Sequence, residues 1–361
     1  MDALIVGAGI IGCAIARELT VRGVECTIVD DRPVGGGATQ ASAGMLAPYV
    51  EAHDAGALLD ACVRSLALYD GWIDDVRRES SAAIEYRRIG TLEVALDPQH
   101  AAELRQQATP TAGAERTWME PAVVRERQPS LASVDGALFT ASHGYVAAHQ
   151  LTQALARAAE ARGARRHNSR VLAIARARSG FTIQTSAGTL TATHVIMAAG
   201  AWSDEVAIDG APAPPVRPVR GQLLRLGWHE RPLDTIIWGP ECYVVPRLDG
   251  TVLVGATVED VGFDERATAA GVRDLLDAVC DLLPGGWGAA FLEARVGLRP
   301  AAPDDLPIVG WDPDVEGLVH ATGHYRNGVL LAPITAVMVA DLLTKNLKDA
   351  ALDAFAPGRF R

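Results

Sequence analysis

The chain has 361 residues, more than one hydrophobic core ordinarily serves, so two domains or one two-lobed unit are expected. Hydrophobic residues make up 49% and charged residues 21%, the balance of a globular enzyme and not of a disordered chain. A net charge of −11 speaks against nucleic acid or an anionic membrane surface as partner, because phosphates reward clustered Lys and Arg. The thiols Cys13, Cys26, Cys62, Cys242 and Cys280 form no C-x-x-C pair, so neither a zinc site nor a disulfide framework is expected. Reduced thiols suit the cytoplasm. The apolar stretch 3–16 carries three glycines and no basic segment before it, unlike a signal peptide. No run reaches the ~18 apolar residues of a membrane span, so no membrane association is expected.

In chain order, residues 3–6 form a short apolar run that reads as a strand buried on both faces. It enters a turn with glycines at Gly7, Gly9 and Gly12, followed by helical spacing of Ile11, Ala14, Ile15 and Leu19. Gly23 ends that helix, residues 26–29 read as a second strand, and Asp30 closes it. Gly7 permits the tight turn, Gly9 lets backbone approach a pyrophosphate, and Gly12 lets the helix pack on the strand. The helix N-terminus offers N–H groups to the phosphates, and Asp30 can accept both ribose hydroxyls of an adenosine. This order predicts a dinucleotide-binding unit. It leaves FAD and NAD open, while the acid disfavours NADP.

Residues 35–46 follow as a run of small residues too long for a turn and too poor in charge for a linker. Thr39, Gln40 and Ser42 are its hydrogen-bonding candidates toward an extended cofactor. Strand-like runs occur at 89–96, 221–226 and 292–298, and the runs 243–248 and 251–256 flank Asp249-Gly250, a two-residue hairpin signal. A further buried strand at 195–198 exits through Ala199 and Gly200. A third strand exit, at 317–328, feeds an apolar helix over 329–343 with Pro333 near its first turn. Such a helix could aim its positive end at a flavin pyrimidine ring. Three glycine-rich strand exits suit one long cofactor better than a simple NAD fold.

The turn 7–12 is joined by Ala43-Gly44-Met45-Leu46, Cys242-Tyr243-Val244-Val245-Pro246-Arg247, Gly297-Leu298-Arg299-Pro300 and the block from Gly323-His324-Tyr325-Arg326-Asn327-Gly328 to Pro333. On these blocks the chain resembles, nearly end to end, the FAD-dependent amino-acid oxidases of the D-amino-acid oxidase and sarcosine oxidase superfamily. It is most similar to the glycine oxidases associated with thiamine biosynthesis. The resemblance implies an α/β fold, α+β overall: a Rossmann-type FAD-binding domain with a discontinuous substrate domain on a mixed or antiparallel sheet. The FAD domain would comprise 1–80, 146–215 and 300–361, and the substrate domain 81–145 and 216–299. Cofactor contacts are implied at Gly7, Gly9, Ile11, Gly12 and Asp30; at Thr39, Gln40, Ser42, Gly44, Met45 and Leu46; at Val171; at Ala199, Gly200 and Trp202; and at Arg326, Asn327, Gly328, Val329 and Leu330.

A small amino acid offers a carboxylate, and the donor best matched to it is the planar fork of an arginine. Alternation puts Glu293, Arg295, Gly297 and Arg299 on one face of a strand stopped by Pro300. Read alone, Arg299 is as much a surface ion-pair candidate as a ligand. By resemblance Arg299 binds the substrate carboxylate, with Tyr243 bonding it, Arg326 near it and Met45 beside the flavin. The resemblance also implies hydride transfer from the substrate Cα–H to flavin N5, then hydrolysis to a 2-oxo acid and ammonia or amine. Dioxygen would then reoxidise the flavin and give hydrogen peroxide. No side chain is required as general base. His324 is the nearest candidate, with a structural role favoured. The branch can carry a His where Glu241 stands and a Met where Val258 stands. Sarcosine oxidases attach FAD through a Cys in the segment that is 299–303 here, and no Cys follows Cys280, so FAD is expected to be non-covalent. Family analogy suggests a homo-oligomer, a tetramer. Competing readings are a D-amino-acid or secondary-amine dehydrogenase serving a carrier other than oxygen, an NAD-dependent dehydrogenase, and a flavin-binding protein without turnover.

Overall fold

The computed structural model describes residues 2–51, 56–108 and 116–361. Asp2–Val6 lies inside a six-stranded sheet ordered Ile308–Trp311, Leu318–Thr322, His194–Met197, Asp2–Val6, Glu25–Asp30, Arg165–Asn168. All neighbours pair parallel except Ile308–Trp311, which runs antiparallel at one edge. Both faces are dry. Ala3 and Ile5 pack on the helical side, while Leu4 and Val6 join the core under a four-stranded sheet of Gly188–Ala192, Phe181–Thr185, Val171–Arg176 and Ala207–Ile208. A strand covered on both sides needs an unbroken apolar run, which is why 3–6 shows no alternation.

The helical face is built from Ile10–Val21, Ala57–Ser80, Ala148–Ala161 and Gly328–Lys345. Gly328–Lys345 is long and apolar enough to cross a membrane, but 72% of it is buried inside the protein. Being apolar all round is what a core helix requires. Its Pro333 cannot donate to the Val329 carbonyl, which would lose its partner. Tyr69 donates to that oxygen at 2.5 Å. Ser65 donates to the Leu330 carbonyl at 2.6 Å and accepts from the Ile334 N–H at 3.4 Å. The neighbouring helix thus satisfies the groups that the proline strands.

The second large sheet has eight strands, ordered Ala290–Ala301, Arg217–Gly227, Thr251–Gly255, Tyr243–Pro246, Ile236–Trp238, Thr91–Ala95, Gly136–Thr140, Arg116–Met119. It is mixed: Ile236–Trp238 pairs parallel with Thr91–Ala95 and the other neighbours are antiparallel. Leu224, Val244 and Val254 bury one face against Leu275 and Val279 of the helix Ala269–Leu282. Leu223, Tyr243, Val245 and Leu253 bury the other against Ala43 and Tyr145. The strand expectations at 89–96, 221–226 and 292–298 all meet strands, the last two longer than expected. The hairpin differs in its turn. The Arg247 N–H bonds the Thr251 carbonyl at 2.9 Å, leaving a three-residue loop, 248–250, instead of Asp249-Gly250 alone. Gly250 takes the left-handed φ of +79° that such a loop needs at its last position, while Asp249 accepts from the Thr251 N–H and hydroxyl.

Candidate active site

Strand ends and loops of the two large sheets enclose one elongated cavity of about 300 Å³. At one end stands the glycine turn. A Cβ on Gly7, at φ +111°, would meet the Ala198 carbonyl oxygen at 2.3 Å, so only glycine fits. A Cβ on Gly9 would meet only the Thr39 hydroxyl, at 3.8 Å, and this position opens onto the cavity. The helix Ile10–Val21 starts here with Gly9 as its N-cap and Ile10 and Ile11 on the cavity wall. Its first-turn N–H groups have no intrahelical partners and suit a pyrophosphate. Thr39 ties the small-residue loop to this turn, accepting from the Ile10 N–H at 3.3 Å.

Asp30, Ser169 and Val171 line the wall beyond the adjoining strand end. The Asp30 carboxylate accepts from the Ala8 N–H at 2.6 Å and the Arg32 N–H at 2.8 Å. Burial pushes its carboxyl above the ordinary range, and those two bonds only partly offset it. The Arg32 guanidinium lies 4.0 Å from the Trp202 ring centroid and forms a fork with Glu265 at 2.7 and 2.9 Å. Phe263 packs on the same tryptophan at 6.0 Å. The segment 257–268 therefore straps the mixed sheet onto the parallel one beside the cavity.

At the opposite end Gly221, Tyr243, Gly297, Arg299 and Arg326 line the wall, with Met45. Two glycines clear this floor. A Cβ on Gly221 would lie 2.4 Å from the Arg299 Nη2, and one on Gly255 would lie 2.4 Å from the Tyr243 hydroxyl. Arg299 Nη1 donates to the Thr257 carbonyl at 2.9 Å and reaches the Arg220 carbonyl at 3.4 Å. Tyr243 stacks on Trp238 at 5.5 Å, and the Arg326 guanidinium lies 6.0 Å from that Trp238 ring. The Tyr325 N–H donates to the Pro300 carbonyl at 2.8 Å, docking the loop before Gly328–Lys345 on the strand that carries Arg299.

A family model described as FAD dependent oxidoreductase matches residues 2–342. The chain belongs to that family. The bifunctional protein ThiO/ThiG of a Nostoc species is 36% identical over 98% of this chain and 54% of its own length. The chain spans about half the length of the first curated relatives it matches. The glycine oxidase of Geobacillus kaustophilus is 33% identical over 98% of this chain and 94% of its own. The crystal structure of that oxidase matches with a TM-score of 0.93, covering 98% of this chain and 97% of the other. This member of the family is an FAD-dependent oxidoreductase of the glycine oxidase and ThiO type.

The cavity fits FAD. Its length runs from the acid at Asp30, past the open Gly9 and a helix N-terminus, to the strand face bearing Arg299. Gly44, Ala199, Gly200, Asn327, Gly328, Val329 and Leu330 also line it, so all three glycine-rich strand exits meet there. Three expected cofactor contacts do not line it. A Cβ on Gly12 would meet the Gly7 carbonyl oxygen at 2.0 Å, which makes Gly12 a packing contact behind the turn. Leu46 is fully buried in the helical core, and Gln40 is exposed and faces a neighbouring polar cavity. The expected polar face of 293–299 also divides. Glu293 and Arg295 bond each other beside that second cavity, and only Gly297 and Arg299 reach the first. Glu241 and Val258 are exposed and off the cavity wall.

His324 lines the wall but is 3% exposed and shares a bond with the Thr335 hydroxyl at 3.1 Å. Burial pulls its imidazole down to about 3, so it stays neutral and is a weak base. Sequence reasoning missed Trp238, Thr257, Ser169 and the Arg32–Glu265 fork. Arg32 adjoins the acid Asp30 and was within reach. Glu265 and Trp238 carry no local signal: the first reaches Arg32 from a loop far along the chain, and only strand pairing sets the second beside Tyr243.

Proposed function

We propose that the chain oxidises the Cα–N bond of glycine and other small amines or amino acids, such as sarcosine and small D-amino acids, with non-covalent FAD. The observation that carries this reading is the convergence of Arg299, Tyr243 and Arg326 at one end of the cavity whose other end is the glycine turn. The Arg299 guanidinium pairs with the substrate carboxylate, and the Tyr243 hydroxyl donates to it. Arg326 adds positive charge from the loop before the last long helix. Glycines at 221 and 255 leave room for the Arg299 guanidinium and the Tyr243 ring to lie flat on this floor. When bound, FAD supplies the hydride acceptor and passes electrons to dioxygen, giving peroxide.

The chain's own part is orientation, worth several kcal/mol when the geometry is fixed. His324 accepts no substrate proton at its depressed value, so the amine reacts as the free base. Imine hydrolysis then gives the 2-oxo acid and ammonia or amine. The test is anaerobic: glycine, sarcosine and D-alanine are added to the yellow holoprotein and the flavin band is followed. Bleaching by at least one of them, with peroxide formed in air, is expected. A flavin that stays oxidised with all three sinks the proposal, and bleaching without peroxide assigns the electrons to another carrier.

A further inference from the structure

Arg299 does not hold itself. Its Nη1 is fixed by two backbone carbonyls, Thr257 at 2.9 Å and Arg220 at 3.4 Å, and both belong to residues locked in a polar knot under the strap. Gln222 is fully buried at the centre of that knot. Its Nε2 donates to Glu259 Oε1 at 2.8 Å and to the Thr268 hydroxyl at 2.9 Å, and its Oε1 accepts from the Thr268 N–H at 2.9 Å. Its backbone N–H donates to the Thr257 hydroxyl at 2.8 Å, which in turn donates to Glu259 Oε1 at 2.6 Å. Arg220, 4% exposed, closes the knot through Glu259 Oε2 at 2.5 Å and Asp264 Oδ2 at 3.0 Å. The space is made for it: a Cβ on Gly271 would lie 2.2 Å from Gln222 Nε2.

The Glu259 carboxylate thus receives donors from Gln222, Thr257 and Arg220 at once. Burial alone would raise its carboxyl, but those bonds outweigh it and hold the group below the ordinary range. Charge-assisted bonds to a half-buried carboxylate that several donors saturate are short and directional. They fix where the Thr257 and Arg220 carbonyls point, and those carbonyls fix the guanidinium.

We propose that Glu259, with Gln222 and Thr257, is the positioning device for Arg299: it sets the pose of the guanidinium that receives the substrate carboxylate. This rests on the reading of Arg299 as the carboxylate anchor. None of the three touches substrate. They act through two carbonyls, as supporting groups do when a functional side chain must be held to a fraction of an ångström. The same segment continues to Glu265 and its fork with Arg32, so the anchor and the cofactor wall share one strap.

The test uses FAD-loaded Glu259→Gln and Thr257→Val, with Arg299→Ala as reference. Acetate, a carboxylate without an amine, is titrated against the flavin absorbance, and glycine turnover is measured in parallel. Glu259→Gln is expected to raise the acetate Kd and the glycine KM roughly tenfold, with kcat within about twofold. Thr257→Val should move both the same way by about threefold, since it removes hydroxyl bonds but no charge. The proposal is overturned if Arg299→Ala loosens acetate while both knot variants stay within about twofold of the unsubstituted protein. It is also overturned if kcat falls with KM and acetate binding unchanged. Should Arg299→Ala leave acetate binding intact, the anchor reading fails first and the positioning role with it. If Glu259→Gln fails to retain FAD, Thr257→Val alone decides between support and refutation.

Discussion

The two ends of the cavity are built in opposite ways. The cofactor end is local: the turn from Gly7 to Gly12, the helix it starts and Asp30 lie within one short βαβ unit, where Gly7 and Gly12 answer steric demands from the next strand and from the turn itself and Gly9 stays open to the cavity. The proposed substrate end is distributed. Tyr243, Gly221, Arg299 and Arg326 come from separate strands and a loop, and only the register of the mixed sheet and the docking of 323–328 bring them together. A local site can be damaged without disturbing the other end. A distributed one depends on positioning: Arg299 is bonded to the Thr257 and Arg220 carbonyls beside a knot of polar side chains, whereas Gly9 acts through the absence of a side chain.

Separating the ends by mutation puts that contrast at risk. Arg299→Ala should cost about 2–5 kcal/mol in kcat/KM for glycine, because a desolvated charge pair is broken, while FAD content holds. Near-normal glycine kinetics, or loss of flavin, would remove the distinction. Gly9→Val should weaken FAD binding by about 1–3 kcal/mol, because a side chain then fills open space on the cofactor wall. Apoprotein folding should survive, and full flavin occupancy on purification would refute the placement.

The buried histidines give the next effect. Burial holds His143 and His324 at about 3, well below an unfolded histidine. A base with a depressed folded value contributes stability above its unfolded value and loses it as pH falls toward the folded one. Each should therefore cost roughly 1–2 kcal/mol at pH 5 relative to pH 7. Urea midpoints across that window test this, and a midpoint that does not fall contradicts it. Turnover should show no inflection near the histidine range from His324.

Tyr243→Phe removes one hydrogen bond and should cost about 0.5–1.5 kcal/mol in kcat/KM. A loss exceeding that of Arg299→Ala would reverse the ranking of the two anchors. The smallest effect belongs to the strap that joins the ends. Glu265→Gln leaves Arg32 without its half-exposed fork and should speed FAD release by about 0.2–1 kcal/mol, less at high salt. A salt-independent effect would point away from the ion pair.

Much of the architecture is legible in the sequence. The βαβ unit, the three strand exits and the apolar helix carry strong periodic or glycine signals, and all three exits reach the cavity. Gln40 and Leu46 illustrate the limit. Both sit in a run whose composition announced a cofactor wall, yet Gln40, on the 3-10 turn Ala38–Ala41, is exposed and Leu46, on the short strand Met45–Leu46, is buried in the core, because the fold and not the composition sets which way each side chain points. Glu293 and Arg295 share a strand face with Arg299 and still serve another surface, since the sheet twists along their length.

The sequence by itself determined the elements whose causes are short in range: a tight turn that only glycine permits, a helix with a free N-terminus above it, an acid at the next strand end. What the tertiary structure alone decided is which arginine faces the cavity, and what holds it there. Gln222, Thr257 and Glu259 surround the carbonyls that fix Arg299, across pairings between Arg217–Gly227 and the chain beyond Thr251–Gly255. No local pattern encodes that knot, because its bonds satisfy one another only after distant strands have been laid side by side.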